Sequence, residues 1–247
     1  MNASTAPGFR DALRGIGQRR DLEEILDRPD IDRRLLAANL RDLRLLNARL
    51  LWSAALWRDV EALLRRHRVA HPSLLDVATG SADVPRYVVG RARKCGVDLR
   101  AVGSDRSAGI LAEARQRSSS AVLLVQHTAE QLPFRDRSFD VVTCCLAAHH
   151  LDPEQLTLTL AEMWRVCRAG VVVADLARSR TGYVLARGMA LVLRNPLTAH
   201  DGPVSVLRAY TPRELAGTAR AAGLARVRVR TVFPARLALV AEREVAR

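Results

Sequence analysis

The sequence is poor in lysine, aromatic residues and cysteine, and it has no long apolar run. Aromatic side chains make up 4% of the 247 residues, which leaves few platforms on which nucleic-acid bases could stack. No uninterrupted apolar stretch approaches the roughly 20 residues of a membrane helix. The first residues also lack the apolar core of a secretory signal. We therefore expect a soluble, cytoplasmic protein without a membrane span.

The four cysteines show no CxxC spacing, and two of them are adjacent within an apolar run. A disulfide between neighbouring residues would be strained, so reduced and mostly buried thiols are predicted. Cysteine and histidine are scattered and offer no tetrahedral ligand set. We expect no metal.

The formal net charge of +13 comes almost entirely from arginine, because Lys94 is the one lysine. A charge of this size would ordinarily suggest nucleic acid or an anionic surface. Here the arginines are spread along the chain and many alternate with Glu or Asp on predicted helices. This pattern favours a solvated arginine surface over nucleic-acid binding.

The first 70 residues are predicted to form a mobile tail followed by a helical cap. Residues 1–18 show no periodicity, which is typical of a mobile tail. Leucines between Leu36 and Leu51 recur at three- and four-residue steps, and Trp52 and Trp57 continue the stripe. This spacing predicts two or three helices between residues 21 and 67.

From residue 71 to residue 247, short apolar runs alternate with longer amphipathic stretches, which predicts βαβ units and a parallel sheet. Two closely spaced runs near the end, 225–232 and 235–240, instead predict an antiparallel hairpin. Residues 178–210 should cover the substrate, as a helix followed by a polar loop at 194–205. The predicted strands lie near 74–78, 99–104, 121–126, 139–145 and 170–176, and the predicted helices near 82–95, 107–117, 153–167 and 212–222.

The first predicted strand leads through a small-residue loop, LLDVATGSADVP, into a helix. Such a loop lets backbone N–H groups approach a ligand at the helix N-terminus, and Gly80 lies within it. The next strand ends at Asp105, where an acidic side chain can receive the hydroxyls of a ribose. These features alone fit a nicotinamide-dependent dehydrogenase as well as other nucleotide-binding enzymes.

Four ordered segments between residues 74 and 178 resemble the class I S-adenosylmethionine-dependent methyltransferases. LLDVATGSAD resembles their motif I, AVGSDRSAGILAEAR their second motif, TAEQLPFRDRSFDVVTCCLAAHHL their third and fourth, and EMWRVCRAGVVVADLARS the following helix and strand. The likeness extends to methyltransferases of ubiquinone and menaquinone biosynthesis and of bacterial secondary metabolism. It implies a Rossmann-like α/β fold of five parallel strands with a terminal hairpin, and S-adenosylmethionine as cofactor.

The resemblance also implies a set of cofactor-binding residues. They are Asp76, Ala78, Thr79 and Gly80 at the methionine end, Asp105 and Arg106 at the ribose, Thr128 and Ala129 at the adenine, and Cys145 and Leu146 beneath the sulfonium. Three positions depart from the family pattern. Ala78 and Ala82 replace usual glycines, which costs little if their φ is negative, and Thr128 replaces an acidic partner of the adenine.

Three histidines are the predicted catalytic residues. His149 and His150 follow the fourth strand, where the methyl group should point, and His200 lies beside Asp201 in the later loop. A histidine there can take the proton of an oxygen nucleophile. Arg208 and Tyr210 are predicted to bind an acidic or phenolic acceptor or to anchor its cover.

The predicted function is methyl transfer to a small-molecule acceptor, at an oxygen of a phenol- or enol-like, polyketide-type natural product. One alternative is an RNA methyltransferase, which the basic charge favours but TCCLAAHHL does not, because it lacks an Asn/Asp-Pro-Pro-aromatic segment. The other is a noncatalytic binding protein of the same fold, suggested by the alanines of motif I. The sequence makes no prediction of oligomeric state.

Overall fold

The computed structural model describes residues 7–27, 31–49, 52–116, 121–192 and 195–245. The helices are α1 (Phe9–Arg14), α2 (Arg33–Arg49), α3 (Trp52–Arg66), α4 (Asp83–Lys94), α5 (Ala108–Gln116), α6 (Pro153–Val166), α7 (Arg180–Val192), α8 (Pro196–Arg208) and α9 (Pro212–Ala221). Short 3₁₀ turns occur at Ile25–Asp27 and Ala148–His150. Among these described helices, none combines the length and the apolar character needed to cross a bilayer.

Seven strands form one mixed sheet. They are β1 (Ser73–Val77), β2 (Arg100–Asp105), β3 (Val122–Gln126), β4 (Phe139–Cys145), β5 (Cys167–Leu176), β6 (Arg228–Val232) and β7 (Arg236–Glu242). Their order is β3-β2-β1-β4-β5-β7-β6, with β1 to β5 parallel and β7 antiparallel to both β5 and β6. The predicted parallel sheet with a C-terminal antiparallel hairpin is confirmed.

Both faces of the sheet are covered, because neighbouring strand residues point to opposite sides. Leu74 of β1 packs with α3 and α4, whereas Leu75 packs with α6 and α9. Trp57 of α3 is buried in the first of these two cores. Helix α3 therefore packs directly on the sheet, whereas the predicted boundary at residue 70 assigns it to the N-terminal helical cap.

The N-terminal residues differ from the predicted mobile tail. Residues 9–14 form α1, and Ala12 of α1 is fully buried against Tyr183 of α7 and Leu207 of α8. A tail of this composition becomes ordered when its few apolar side chains find a partner elsewhere in the chain. Of the predicted leucine stripe, Leu36 is buried, but the side chains of residues 43–52 lie outside the described residues.

The polar loop predicted at 194–205 is wrong, because helix α8 starts at Pro196. The Asn195 side chain accepts a hydrogen bond from the Leu197 N–H at 3.0 Å, and Pro196 occupies the first helical position. Burial of Val204 and neighbouring residues against α2 and α7 outweighs the unfavourable Gly202-Pro203 pair. The predicted start of α9 is confirmed, since Thr211 and Glu214 form a capping box.

The carboxyl ends of β1, β2, β4 and β5 lie along one edge of the sheet. The strand order reverses between β1 and β4, whose residues Val77 and Cys144 are paired. Ligands of open α/β sheets bind in the crevice at such a switch point. The predicted site residues follow these same strand ends.

Candidate active site

The loop between β1 and α4 is tied to both neighbouring strands. One carboxylate oxygen of Asp76 accepts a hydrogen bond from the Thr79 hydroxyl at 2.7 Å, and the other accepts one from Thr143 of β4 at 2.6 Å. The Thr79 N–H donates to the Ser104 carbonyl of β2 at 2.8 Å. Burial raises the pKa of Asp76 to about 7, although both hydroxyl donors favour the ionised carboxylate.

Gly103 of β2 allows this close approach, because a Cβ atom there would lie 2.8 Å from the Thr79 hydroxyl oxygen. The backbone in the loop itself turns three times into the left-handed region, at Ala78 (φ 53°), Gly80 (φ 57°) and Ala82 (φ 56°). The two alanines therefore do not have the negative φ under which they would cost little. Each stores about 1–2 kcal/mol of local strain that a glycine would avoid.

Asp105 connects the end of β2 to the same loop. Its carboxylate accepts hydrogen bonds from the Gly80 N–H at 3.0 Å and from the Ser107 N–H at 2.9 Å. Burial raises the pKa of Asp105 against the effect of these donors. Each carboxylate oxygen keeps a second lone pair, so ribose hydroxyls can still be accepted. The Arg106 side chain is exposed and lies 3.6 Å from Asp27.

The residues expected at the adenine and the sulfonium follow β3 and β4. Thr128 is exposed and Ala129 is half-buried in the segment after β3. Cys145 is half-buried at the end of β4, and its pKa is raised well above the ordinary value by burial. Leu146 has φ 53°, and its N–H donates to the Ala174 carbonyl of β5 at 2.8 Å. The structure thus brings all the predicted cofactor segments to one edge of the sheet.

His149 forms a buried pair with Asp175, which lies near the end of β5. The ring Nδ1 lies 2.6 Å from one carboxylate oxygen, and the His149 N–H donates to the other at 3.0 Å. Burial opposes ionisation of Asp175, but the charge and hydrogen bond of His149 hold its pKa below the ordinary value. The Nε2 atom faces Glu24, 4.0 Å from its Oε1. This is the geometry of a histidine base oriented by a carboxylate.

His150 faces two carboxylates of the N-terminal segment. Its Nδ1 lies 3.1 Å from Asp27 Oδ1 and 3.8 Å from Glu24 Oε1. Burial lowers the pKa of His150, but the negative charges of Glu24 and Asp27 raise it by a larger amount. The net shift is therefore upward. Conversely, His150 and Arg208 outweigh burial at Asp27 and lower its pKa to about 2.

The segment that carries these carboxylates, residues 19–27, covers the two histidines. Arg19 donates to the carbonyls of Leu151 and Arg208, at 2.8 and 2.7 Å. At its other end, Asp201 of α8 accepts hydrogen bonds from the N–H groups of Ile25 and Leu26, at 2.9 and 3.0 Å. His149 is consequently only 4% exposed. We call residues 19–27 the cover segment.

Two predicted acceptor-binding side chains are used internally. Arg208 donates to the His150 carbonyl at 2.8 Å and to Asp27 at 2.9 Å, and it is buried. The Tyr210 hydroxyl donates to the Leu151 carbonyl at 2.8 Å. In this arrangement both side chains hold the loop after β4, and Arg208 also holds Asp27. Their predicted binding of the acceptor stays a prediction.

His200 lies on α8 and is bonded to its neighbour, with Nδ1 2.8 Å from Asp201 Oδ1. Its side chain is one-third exposed, in contrast with His149. Asp201 is shared between this histidine and the backbone of the cover segment. The predicted contact between His200 and Asp201 is therefore present, but the structure records no contact of the His200 ring with His149 or His150 among its described hydrogen bonds.

One group in the described part of the chain has potential metal ligands close together. Ligand atoms of Glu24, His149 and His150 lie within 4.8 Å of one another. Glu24 Oε1 is buried without a hydrogen-bond partner, whereas Oε2 accepts a hydrogen bond from Ser205. Arg208 Nε lies 3.7 Å from Glu24 Oε1 and supplies positive charge there. The group can therefore also act as a purely electrostatic cluster.

Sequence reasoning did not single out Glu24, Asp27 or Asp175. Asp175 was within reach of it, since an acidic residue near the end of an apolar strand, VVVADL, lies at the functional edge of a parallel sheet. Glu24 and Asp27 belong to a segment without any motif. Their position depends on contacts with α8, which itself was predicted as a loop.

Comparison with known proteins identifies the family of the chain. A family profile described as a methyltransferase domain matches residues 74–170. A demethylmenaquinone methyltransferase of Parafrankia sp. is 32% identical in an alignment that covers 71% of this chain and 79% of the relative. The chain belongs to the class I S-adenosylmethionine-dependent methyltransferases. This is a family of enzymes, and S-adenosylmethionine is its cofactor, as the sequence predicts.

Other relatives are matched over less of their length. A demethylmenaquinone methyltransferase of Deinococcus radiodurans is 34% identical over 61% of this chain and 66% of its own length. A ubiquinone/menaquinone biosynthesis C-methyltransferase of Bradyrhizobium sp. is 30% identical over 66% of this chain and 61% of its own length. The match thus spans slightly less than two thirds of these two relatives.

Solved structures share the fold at low sequence identity. A SAM-dependent methyltransferase from Aquifex aeolicus superposes with a TM-score of 0.58 at 17% identity, covering 83% of this chain and 97% of that one. Human N-acetylserotonin methyltransferase, solved with SAM, gives a TM-score of 0.65 at 13% identity over 95% of this chain and 65% of its own. These likenesses support the architecture alone.

Proposed function

We propose that this protein transfers the methyl group of S-adenosylmethionine to a small molecule that carries an ionisable hydroxyl, such as a phenol, an enol or a hydroquinone. The observation that carries the proposal is the His149–Asp175 pair at the switch point of the sheet. Asp175 holds Nδ1, which leaves Nε2 to remove a proton. The predicted cytoplasmic location stays part of this proposal.

The residues of the loop after β1 suit the cofactor. Gly80 has open space where a Cβ would be, and the N–H of Gly80 fixes the carboxylate of Asp105 that would receive the ribose. Asp76 would face the methionine end through the same loop. When bound, the cofactor supplies a methyl group already activated by the positive sulfur, so the protein has to align the acceptor and exclude water.

Glu24 would stabilise the positive charge that His149 acquires when it takes the acceptor's proton. Its Oε1 is buried, has no hydrogen-bond partner and lies 4.0 Å from His149 Nε2. A carboxylate oxygen attracts the positive charge of an imidazolium ring across such a distance. An acceptor hydroxyl within hydrogen-bond reach of Nε2 would donate its proton to His149, and the resulting anion would attack the methyl group in line from its oxygen or from the adjacent carbon as the methyl–sulfur bond breaks.

The names of the relatives favour methylation at the ring carbon over methylation at the hydroxyl oxygen. Two are named demethylmenaquinone methyltransferases, and a third is named a ubiquinone/menaquinone biosynthesis C-methyltransferase. A hydroquinone ring attacks from the carbon beside its ionised hydroxyl and afterwards loses the proton on that carbon. We therefore propose carbon methylation of a hydroquinone-like ring, with the oxygen of a phenol or enol, as predicted from the sequence, as the second candidate.

The test uses S-adenosylmethionine with a ¹³C-labelled methyl group and two acceptors, a 2-unsubstituted 1,4-naphthohydroquinone and a simple phenolic polyketide. Mass spectrometry detects transfer, and ¹³C NMR separates a carbon-bound methyl from a methoxy group. Calorimetry of cofactor binding is the parallel measurement. Cofactor binding without transfer to any acceptor would favour a noncatalytic binding protein, and transfer to RNA alone would overturn the small-molecule proposal.

A further inference from the structure

Helix α7 exposes a continuous apolar face. Val184, Leu185, Met189 and Leu191 are all exposed, and Leu191 is 87% exposed. At about 100° per residue these four side chains lie within one half of the helix circumference. The opposite side carries Tyr183, which is buried against α1 and α8. Large apolar side chains grouped on one exposed face usually mark a binding surface.

Two arginines of α7 border this apolar face, and two more lie on α1, which packs against the side of α7 that carries Tyr183. Arg180 and Arg187 lie on α7, and Arg10 and Arg14 lie on the neighbouring α1; all four are exposed. The two helices are joined where the ring of Phe9 meets that of Tyr183, at a centroid distance of 5.9 Å.

The balance of charge on these two helices is strongly positive. In the described stretches of α1 and α7, the acidic residues amount to Asp11 alone. No ion pair of the four arginines is recorded within the described residues. We call the exposed surface of these two helices the α1–α7 face.

We propose that the α1–α7 face binds the surface of a membrane rich in anionic lipid. The apolar side chains would enter the boundary between headgroups and acyl chains, and the arginines would contact lipid phosphates. Each basic residue near such a surface adds to the attraction, which salt weakens. The two kinds of side chain occur side by side on one helix, as this mode of binding requires.

The same charge argues against a second copy of the chain as the occupant. A symmetric dimer through this face would bring the arginines of both copies together, and the whole chain already carries a formal charge of +13. Repulsion of this kind is absent at an anionic bilayer. Charge complementarity therefore selects the lipid surface.

Membrane binding would also bring the cover segment close to the bilayer. Helices α7 and α8 pack against each other, and Asp201 of α8 holds the 3₁₀ turn of residues 25–27. An apolar acceptor could then reach His149 from the lipid side when the cover segment opens. This consequence rests on the proposed function, whereas the binding of lipid does not.

The experiment is co-sedimentation of the full chain with vesicles of phosphatidylcholine alone and of equal parts phosphatidylcholine and phosphatidylglycerol. We expect binding to the mixed vesicles that weakens as salt is added. Replacing two apolar residues together, Leu185→Ser and Leu191→Ser, should lower the affinity about tenfold or more. The matched control is Leu158→Ser on α6, where the leucine is 50% exposed, and it should bind like the unmodified protein.

Thermal unfolding and calorimetry with S-adenosylmethionine check that each variant is folded, and neither readout requires methyl transfer. Unchanged vesicle binding by the double variant would overturn the proposal, as would equal losses in the double variant and in Leu158→Ser. Light scattering supplies the remaining outcome. A dimer that the double variant dissociates, combined with absence of vesicle binding, would assign the face to a second copy.

Discussion

His149 and Asp175 are bonded through two atom pairs, ring Nδ1 to Oδ1 at 2.6 Å and backbone N–H to Oδ2 at 3.0 Å. The second bond fixes the position of the residue, and the first fixes the tautomer and the ring orientation. A histidine held in this way presents Nε2 in one direction. Because β4 and β5 are adjacent in the sheet, the strands themselves bring the two residues together.

The first prediction concerns this pair. His149→Ala should lower the maximal methylation rate by about 100- to 10,000-fold, because a positioned base contributes that much to proton transfer. Asp175→Asn should lower the same rate by about 100-fold or more, because the asparagine amide no longer fixes the proton on Nδ1 of His149. S-adenosylmethionine affinity, measured by calorimetry, should remain close to that of the unmodified protein in both variants.

The control is His200→Ala, since His200 is bonded to Asp201 on α8 and is partly exposed. We expect its maximal rate to stay near normal. A large loss in this variant, with a normal rate in His149→Ala, would move the base to α8. A rise in activity with pH in either impaired variant would show that ionisation of the acceptor has become limiting.

The second prediction follows from the buried carboxylate of Asp76. With a pKa of about 7 in the free protein, Asp76 is about half protonated at neutral pH. The ammonium group of the cofactor would lower that pKa by its opposite charge, so binding should release about half a proton near pH 7. Calorimetry in buffers of different ionisation enthalpy measures this release.

Asp76→Asn is the matched variant for that measurement, because its side chain keeps the size of aspartate but does not titrate. Proton release should disappear in Asp76→Asn. If the same release persists, it comes from another group, and Asp105 is the next one to examine because burial also raises its pKa. The expected role of Asp76 at the methionine end would then lose its support.

Local patterns in the sequence were sufficient to predict most of the sheet and the cofactor edge. The strands near 74–78 and 139–145 were predicted because continuous apolar runs are typical of strands that are buried on both faces. In the structure Leu74 and Leu75 face opposite cores. The end of β2 at Asp105 followed from the same pattern.

The contacts made by the N-terminus could not be predicted in this way. Asp27 and His150 are more than 120 residues apart in sequence. Glu24 and Asp27 contact His150 only because the cover segment packs against α8. Helix α8 itself was hidden by Gly202 and Pro203, whose local preference is outweighed by burial. The positive φ of Ala78 could likewise not be predicted from the sequence, because alanine is not a residue that favours the left-handed region.

The third prediction uses that backbone strain. Ala78→Gly and Ala82→Gly should each raise the free energy of unfolding by about 0.5–1 kcal/mol, since glycine relieves the positive φ but adds freedom to the unfolded chain. Ala161→Gly, within α6, should instead lower it by about 1 kcal/mol. Urea unfolding provides the comparison, and destabilisation by all three substitutions would contradict the left-handed geometry of the loop.

The fourth prediction compares two adjacent arginines of the cover segment. Arg19 donates to the Leu151 and Arg208 carbonyls and lies 5.0 Å from the Tyr210 ring centre, whereas Arg20 bonds only the exposed Asp11 carbonyl through its side chain among the described contacts. Arg19→Ala should raise the acceptor KM about tenfold or more. The charge-assisted hydrogen bonds that hold the cover segment over the acceptor site would be lost.

Arg20→Ala should leave that KM unchanged. Cofactor affinity should be normal in both variants, since neither arginine contacts the loop after β1. Equal effects of the two substitutions would show that the segment contributes charge in general, and a loss of cofactor affinity in Arg19→Ala would show that the segment supports the cofactor site as well.

The last prediction is that the cover segment loosens as pH rises through the pKa of His150. Burial lowers that pKa, but Glu24 and Asp27 raise it more, so the folded value lies above the unfolded one. The protonated ring therefore stabilises the folded state fully below about pH 6.5, and this contribution is lost at higher pH. Asp27 acts in the opposite sense, because its pKa is lowered to about 2 and its contribution is lost only below about pH 4.

His150→Asn should accordingly lower the free energy of unfolding most between about pH 4 and 6.5. The difference in this free energy between the variant and the unmodified protein should become smaller as the pH rises above 7. Urea unfolding across this range measures the difference. His71→Asn is the control for a histidine substitution outside the cover segment, because the His71 side chain is exposed. Hydrogen exchange at residues 19–27 locates the effect: faster exchange of these amides at high pH, with unchanged exchange in β1 and β4, is the expected result. A cost of His150→Asn that does not vary with pH would show that His150 acts through packing and not through its charge.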